Sequence, residues 1–323
     1  MSLLDYPALL GDVGGTNARF AWQAAPGCEM SQVLSLSGDD HENLESAIQA
    51  YLKQTGLPHP QSASIGIANP ITGDFVQMTN RDWSFSIQAL KHALKLRNLL
   101  VINDFTAVAL ALPSLPAGDR LQIGGGEPAP NSAIALLGAG TGLGVSGLLP
   151  CGSSWTPICG EGGHVTLSAS NQTEFGVIEI LARRFGHVSA ERVLSGPGLT
   201  SLHSALAELK GISVAQELTA AEISDQALNH KEPLALQAVE MFAGFLGSVA
   251  GDLALTLGAR GGVYIAGGII PRWLGWFEHS SFRERFEAKG RFSAYLRPIP
   301  VWVITTPVSP ALAGAAFALS ECS

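Results

Sequence analysis

The chain has 323 residues and a formal net charge of −8, with 46% hydrophobic and 14% charged residues. That length accommodates two domains and a large core. With no Lys/Arg cluster, the acidic balance speaks against a nucleic-acid surface, whose affinity rests on neutralising phosphates. It suits an enzyme that grips phosphate through backbone N–H groups. The start, 1–10, has no basic segment and does not resemble a signal peptide. The apolar stretch 234–259 is interrupted by Glu240 and Asp252, about eleven uncharged residues apart, where a membrane span needs roughly 20. It is expected to be a buried helix whose Gly244, Gly247 and Gly251 admit a neighbouring backbone. Cys28, Cys151, Cys159 and Cys322 form no regular framework and read as reduced thiols. Cys151, Cys159 and His164 do not have the spacing of a common zinc motif.

In chain order, 8–12 is a short apolar strand that reaches Gly14-Gly15, and 17–23 returns as its hairpin partner. Strands are expected at 33–37, 63–68, 75–79 and 99–102, and helices at 42–53, 87–94 and 106–112. Asp104 ends a strand and precedes a helix, so it is an expected N-cap. Pro113, Pro116 and Gly118 then break the pattern and suggest a domain crossing, and 124–130 is a loop. The second part begins like the first, with strand 133–137, a Gly/Thr turn and strand 144–149, about 127 residues after the first such unit. Helices dominate 173–257. Strands at 263–266 and 301–305 and a helix at 311–320 close the chain. The mixture indicates an α/β fold.

The chemistry concentrates in the turns. Gly11, Asp12, Gly14, Gly15, Thr16 and Asn17 supply glycines for close backbone approach, side-chain donors and a carboxylate, Asp12, that can hold Mg²⁺ through water. Gly138, Gly140, Thr141 and Gly142 repeat that inventory. Gly267 and Gly268 follow a third apolar strand, where they can pass under a nucleotide. Each turn taken alone also reads as an ordinary tight hairpin. No G-K-[ST] motif occurs. Residues 142–147 match G-x-G-x-x-G, but that fingerprint must open a helix, and here a strand and Pro150 follow.

Taken together and in this order, residues 11–17, 102–105, 138–144, 160–164, 195–199 and 266–268 resemble the bacterial glucokinase family, over essentially the whole chain. The resemblance implies a two-domain actin-like ATPase (ribonuclease H-like) fold with its active site in the interdomain cleft. It implies a small domain of 1–112 plus 305–323 and a large domain of 113–304. It further implies a cytoplasmic enzyme, usually a homodimer, that moves the γ-phosphate of ATP to the 6-hydroxyl of glucose with Mg²⁺. In that role Asp104 is the catalytic base, and Asn103, Glu161, His164, Glu191 and Asn80 bind the sugar. Read without the resemblance, Glu191 is a solvated residue at a helix start and His164 a structural hydrogen-bonder. The chain lacks the C-x-C-G-x-x-G-C zinc motif of the related regulatory branch, and room before Gly11 for a DNA-binding domain. A kinase for another hexose, and a sugar sensor that does no chemistry, remain alternatives.

Overall fold

The computed structural model describes residues 6–79, 81–213, 216–306 and 309–321. Its contacts divide the chain into two units, Met1–Ala117 with Thr306–Ser323, and Gly118–Thr305.

The first unit is built on a main sheet that begins with β1 (Ala8–Val13), β2 (Asn17–Gln23), β3 (Ser31–Ser37) and β4 (Ser62–Ile67). In it β1 and β4, largely small and apolar along their length, are buried on both faces and pair in parallel, whereas β3 stays exposed at the edge. β5 (Phe75–Gln77) and β6 (Ser84–Ser86) form a separate antiparallel ribbon, and β7 (Asn98–Asn103) completes the main sheet. The main sheet runs β3-β2-β1-β4-β7, antiparallel through the β1–β3 meander and parallel from β1 to β7. Helix α1 (Leu44–Thr55) starts from an Asn43–Ser46 capping box and ends at Gly56. Its buried Tyr51 donates to the Gln32 carbonyl at 3.0 Å. Helices α2 (Ile87–Ala93) and α3 (Asp104–Ala111) follow.

The second unit repeats the arrangement. Its strands are β8 (Arg120–Ile123), β9 (Ile134–Ala139), β10 (Leu143–Cys151), β11 (Ser154–Cys159), β12 (Val263–Ala266) and β13 (Val301–Ile304). The sheet order is β11-β10-β9-β12-β13-β8, again an antiparallel meander joined to parallel strands, with β8 added antiparallel at the edge. Between β11 and β12 lie α4 (Gln172–Phe185), α5 (Gly196–Lys210), α6 (Ala220–Leu228) and α7 (Pro233–Leu257). The short helices α8 (Leu274–Phe277), α9 (Phe282–Glu287) and α10 (Ser293–Leu296) precede β13. The similarity expected for one strand–turn–strand unit therefore extends to whole sheets. β8, β11 and the short helices are additions to the sequence reading. β11 carries Pro157, which an edge strand accepts because one side of its backbone is unpaired.

By length and composition α7 passes for a membrane span, yet 78% of its most apolar window is buried inside the protein. Its glycines meet α9 as expected. A Cβ on Gly247 would stand 2.2 Å from the Phe282 carbonyl oxygen, and one on Gly251 would stand 2.5 Å from that of Phe286.

The chain closes with α11 (Pro310–Glu321), which belongs to the first unit and packs on α3. The contact is backbone-close, since a Cβ on Gly314 would stand 1.6 Å from the Ala107 carbonyl oxygen. Gly314→Ala is expected to force the helices apart and cost about 1–3 kcal/mol of stability, read from urea denaturation. A second expectation concerns acid. Burial in α5 pushes His203 below its ordinary 6.5, against the opposing pull of Glu232. The native state then binds fewer protons than the unfolded chain, so this contribution is complete above pH 6.5 and is lost as pH falls below it. His203→Gln should lose less stability than the wild type between pH 7.5 and 5.5, conditions chosen to lie about one unit either side of the ordinary histidine value.

Candidate active site

In the first unit the turn between β1 and β2 is closed by Gly14 N–H donating to the Asn17 carbonyl at 2.9 Å. Asp12, on the last turn of β1 before it, has its carboxylate oriented from two sides. Arg19 Nη1 donates to Oδ2 at 3.1 Å, and the Ser309 hydroxyl donates to the same oxygen. β7 delivers Asn103 and Asp104 beside this turn. Gly66 of β4 lies between, 3.5 Å from Asp104 Cα and 3.7 Å from the Gly11 carbonyl oxygen when measured from an added Cβ.

The expected capping role of Asp104 is corrected. Asn103 is the N-cap of α3, with Oδ1 accepting from Thr106 N–H at 3.1 Å, and Asp104 is the first helical residue. Asn103 is extended and its Oδ1 reaches the third N–H of the helix, which is the geometry capping needs. Its amide Nδ2 then donates to Asp104 Oδ1 at 3.1 Å, and Phe105 N–H donates to that oxygen at 2.9 Å. Asn103 thus holds the Asp104 carboxylate in one orientation. Asn80 lies outside the described residues.

In the second unit four segments converge. The turn after β9 is closed by Gly140 N–H donating to the Gly142 carbonyl at 2.8 Å. Glu191 lies in a turn ahead of α5 and not at a helix start, and its Oε2 accepts from Leu143 N–H at 2.9 Å. Its Oε1 stands 3.9 Å from His164 Nδ1. His164 itself sits in a single 3₁₀ turn, Gly162–His164, whose glycines serve proximity more than reach: a Cβ on Gly163 would stand 2.1 Å from the Leu143 carbonyl oxygen. The Glu191 N–H donates to the Gly163 carbonyl at 2.9 Å, so the segment 160–164 and the turn after β9 are joined through Glu191. Glu161 and His164 remain exposed.

The third turn joins the same segments. Gly267 has φ +87°, and an added Cβ would stand 2.2 Å from the Ala139 carbonyl oxygen, so both its conformation and its surroundings demand glycine. Ser195 and Gly196, which the sequence reading quoted only for resemblance, also meet these segments. Ser195 Oγ caps α5 by accepting from Gly198 N–H at 3.0 Å, and Gly196 N–H donates to the Gly140 carbonyl at 2.8 Å. The N-terminus of a 15-residue helix, its first-turn N–H groups already bonded to Gly140 and Ser195, therefore abuts the second turn and turns the positive end of its dipole toward it. The signal for it was legible: Ser followed by Gly-Pro-Gly is a helix start with Pro in the first turn. Beside α5 and the Gly267-Gly268 turn opens a cavity of about 430 Å³ with apolar walls, among them Leu199, Ile269 and Trp276, and with Ser224, Asp225, Asn229 and Arg272 as polar and charged groups.

The glucokinase family model matches residues 9–322. The chain belongs to the glucokinase family. Relatives include the glucokinase of Aromatoleum aromaticum, 56% identical over 98% of this chain and 95% of that protein. The glucokinase of Chromobacterium violaceum is 53% identical over 98% and 90%. Among solved structures, a glucokinase from an Antarctic psychrotroph superposes with a TM-score of 0.87 at 37% identity, covering 98% of this chain and 99% of that one. A glucokinase of the ROK family from Streptomyces griseus, solved with glucose and AMPPNP, shares the fold with a TM-score of 0.65 at 18% identity, covering 98% and 100%. The expected two-domain actin-like ATPase fold is the family's fold.

A testable consequence lies in the turn after β9. An added Cβ on Gly142 would stand 2.5 Å from Glu191 Oε2, where it displaces the carboxylate from Leu143 N–H. Gly142→Ala is expected to lower glucose-dependent ADP release about tenfold or more, because reacting groups tolerate little misplacement. A coupled assay reads it directly.

Proposed function

We propose that this chain transfers the γ-phosphate of ATP to the 6-hydroxyl of glucose, yielding glucose 6-phosphate and ADP. The observation that carries the reading is Glu191, whose carboxylate binds the N–H at the end of a glycine-rich phosphate-type turn and faces His164 of the sugar segment. Kinship with glucokinases supports it independently.

In this reading the sugar hydroxyls are held by Asn103, Glu161, His164, Glu191 and Asn80, through carboxylates and amides that pair each hydroxyl as donor and acceptor. Asp104, oriented by Asn103 and the Phe105 N–H, accepts the proton of the 6-hydroxyl as its oxygen attacks phosphorus. The backbone N–H groups of Thr16, Asn17, Thr141 and Gly142 take the phosphate oxygens, and the positive end of the α5 dipole beside the second turn favours their charge. The nucleoside end occupies the cavity beside Gly267 and Gly268, within the size range of ligand pockets.

The donor set suits Mg²⁺. Among the described residues no group of three or more His, Cys, Asp or Glu forms a metal cage. A single carboxylate oriented by Arg19 and Ser309, Asp12, matches an ion that keeps most of its water and binds phosphates. Asp12 would hold it through water, and the ion would neutralise charge on the phosphate oxygens. We assign the enzyme to the cytoplasm as a homodimer.

The test is an acceptor panel: protein, Mg-ATP and glucose, mannose, fructose or N-acetylmannosamine, with ADP release measured. Glucose is expected to be the preferred acceptor. Turnover only with another sugar replaces the acceptor assignment, and glucose-induced thermal stabilisation without turnover on any sugar replaces catalysis with sensing. Asp104→Ala is expected to lower kcat by roughly 10² or more, and a near-wild-type kcat would refute its role as base.

A further inference from the structure

Arg81 carries a charge that is almost withdrawn from solvent, its side chain only 7% exposed. Its nearest carboxylate explains little. Asp39 stands 3.5 Å away and is 86% exposed, and a pair so open to water contributes weakly. The guanidinium is spent on backbone instead. Nε and Nη2 both donate to the Gly15 carbonyl, at 3.1 and 2.6 Å, and Nη2 donates also to the Thr16 carbonyl at 3.1 Å.

The surroundings are shaped to keep it there. The guanidinium carbon lies 4.5 Å from the Trp83 ring centroid, a cation–π distance, and Trp83 Nε1 is anchored on the His41 carbonyl at 3.1 Å. On another side is Gly38, where an added Cβ would fall 1.3 Å from Arg81 Nη1. Gly38 N–H meanwhile donates to the Thr16 carbonyl at 2.9 Å, reinforcing the same orientation.

In a trans peptide the C=O and N–H point in opposite directions. Drawing the Gly15 and Thr16 carbonyls toward Arg81 turns the N–H groups of Thr16 and Asn17 away from it. Among the described residues none accepts from the Thr16 N–H. We propose that Arg81 is a positioning residue for nucleotide binding: it holds the turn so that the Thr16 and Asn17 N–H groups face the phosphates of ATP. This rests on the reading of Gly14–Asn17 as a phosphate turn. An arginine fork meets both carbonyls at once, and a lysine, with a single ammonium on a flexible stem, does not reproduce it.

The experiment measures KM for ATP and for glucose, and Kd for ADP by calorimetry, in Arg81→Met, Arg81→Lys and Gly38→Ala. Gly38→Ala displaces the guanidinium without changing the residue that carries it, and so stands in if Arg81→Met fails to fold. All three are expected to weaken nucleotide binding about tenfold or more, the scale of losing hydrogen bonds to a charged group, with the glucose KM within about twofold of wild type. Equal losses for both substrates would mark Arg81 as generally structural and overturn the proposal. So would wild-type ATP affinity in folded variants. Gly15→Val separates the two layers. If it abolishes ATP binding while Arg81→Met does not, the turn binds phosphate without Arg81; if neither matters, the phosphate reading of the turn itself falls.

Discussion

The backbone of Leu143 is bonded at its N–H and closely packed at its carbonyl, and the second unit's candidate site is built around it. Its N–H is bonded to the Glu191 carboxylate, and its carbonyl lies so near Gly163 that no side chain fits between them. A hydrogen bond to a charged acceptor is worth about 1.5–3 kcal/mol, and the partial exposure of Glu191 places this one toward the lower end. Energy is the lesser consequence. The turn after β9 and the segment 160–164 are thereby tied to the same residue, Leu143.

The remaining segments attach by the same means. Gly267 reaches the Ala139 carbonyl, Gly196 N–H reaches the Gly140 carbonyl, and Glu191 N–H reaches that of Gly163. Backbone-to-backbone contact is short and stiff. It fixes N–H directions, which is what recognition of phosphate through the main chain requires. The first unit reaches the same end with side chains. Asn103 caps α3 and holds Asp104, while Arg81 holds the carbonyls of the turn at Gly15 and Thr16. The two units share a strand order, yet their turns close differently, from Gly14 to Asn17 in one and from Gly140 to Gly142 in the other.

Much of this was legible in the chain. Apolar runs ending in glycine-rich turns marked β1, β9 and β12, and the long apolar stretch around Gly244, Gly247 and Gly251 marked α7. β8 and β11 were not legible, because edge strands carry weak apolar patterns and admit Pro157. The single-residue shift between Asp104 and Asn103 as cap was not legible either. Both residue types cap well, and the choice depends on which side chain the last residue of β7 turns toward the helix.

Local sequence determined the apolar inner strands, the glycine turns and the identity of the polar residues that follow them, because those depend on periodicity and on φ/ψ freedom within a few residues. Only the tertiary structure decided what each polar residue does. Glu191 and Leu143 are 48 positions apart, and Arg81 and Gly15 are 66 apart. A hydrogen bond over that separation leaves no trace in local pattern, since it exists only after sheet and helix packing has brought the two segments within 3 Å.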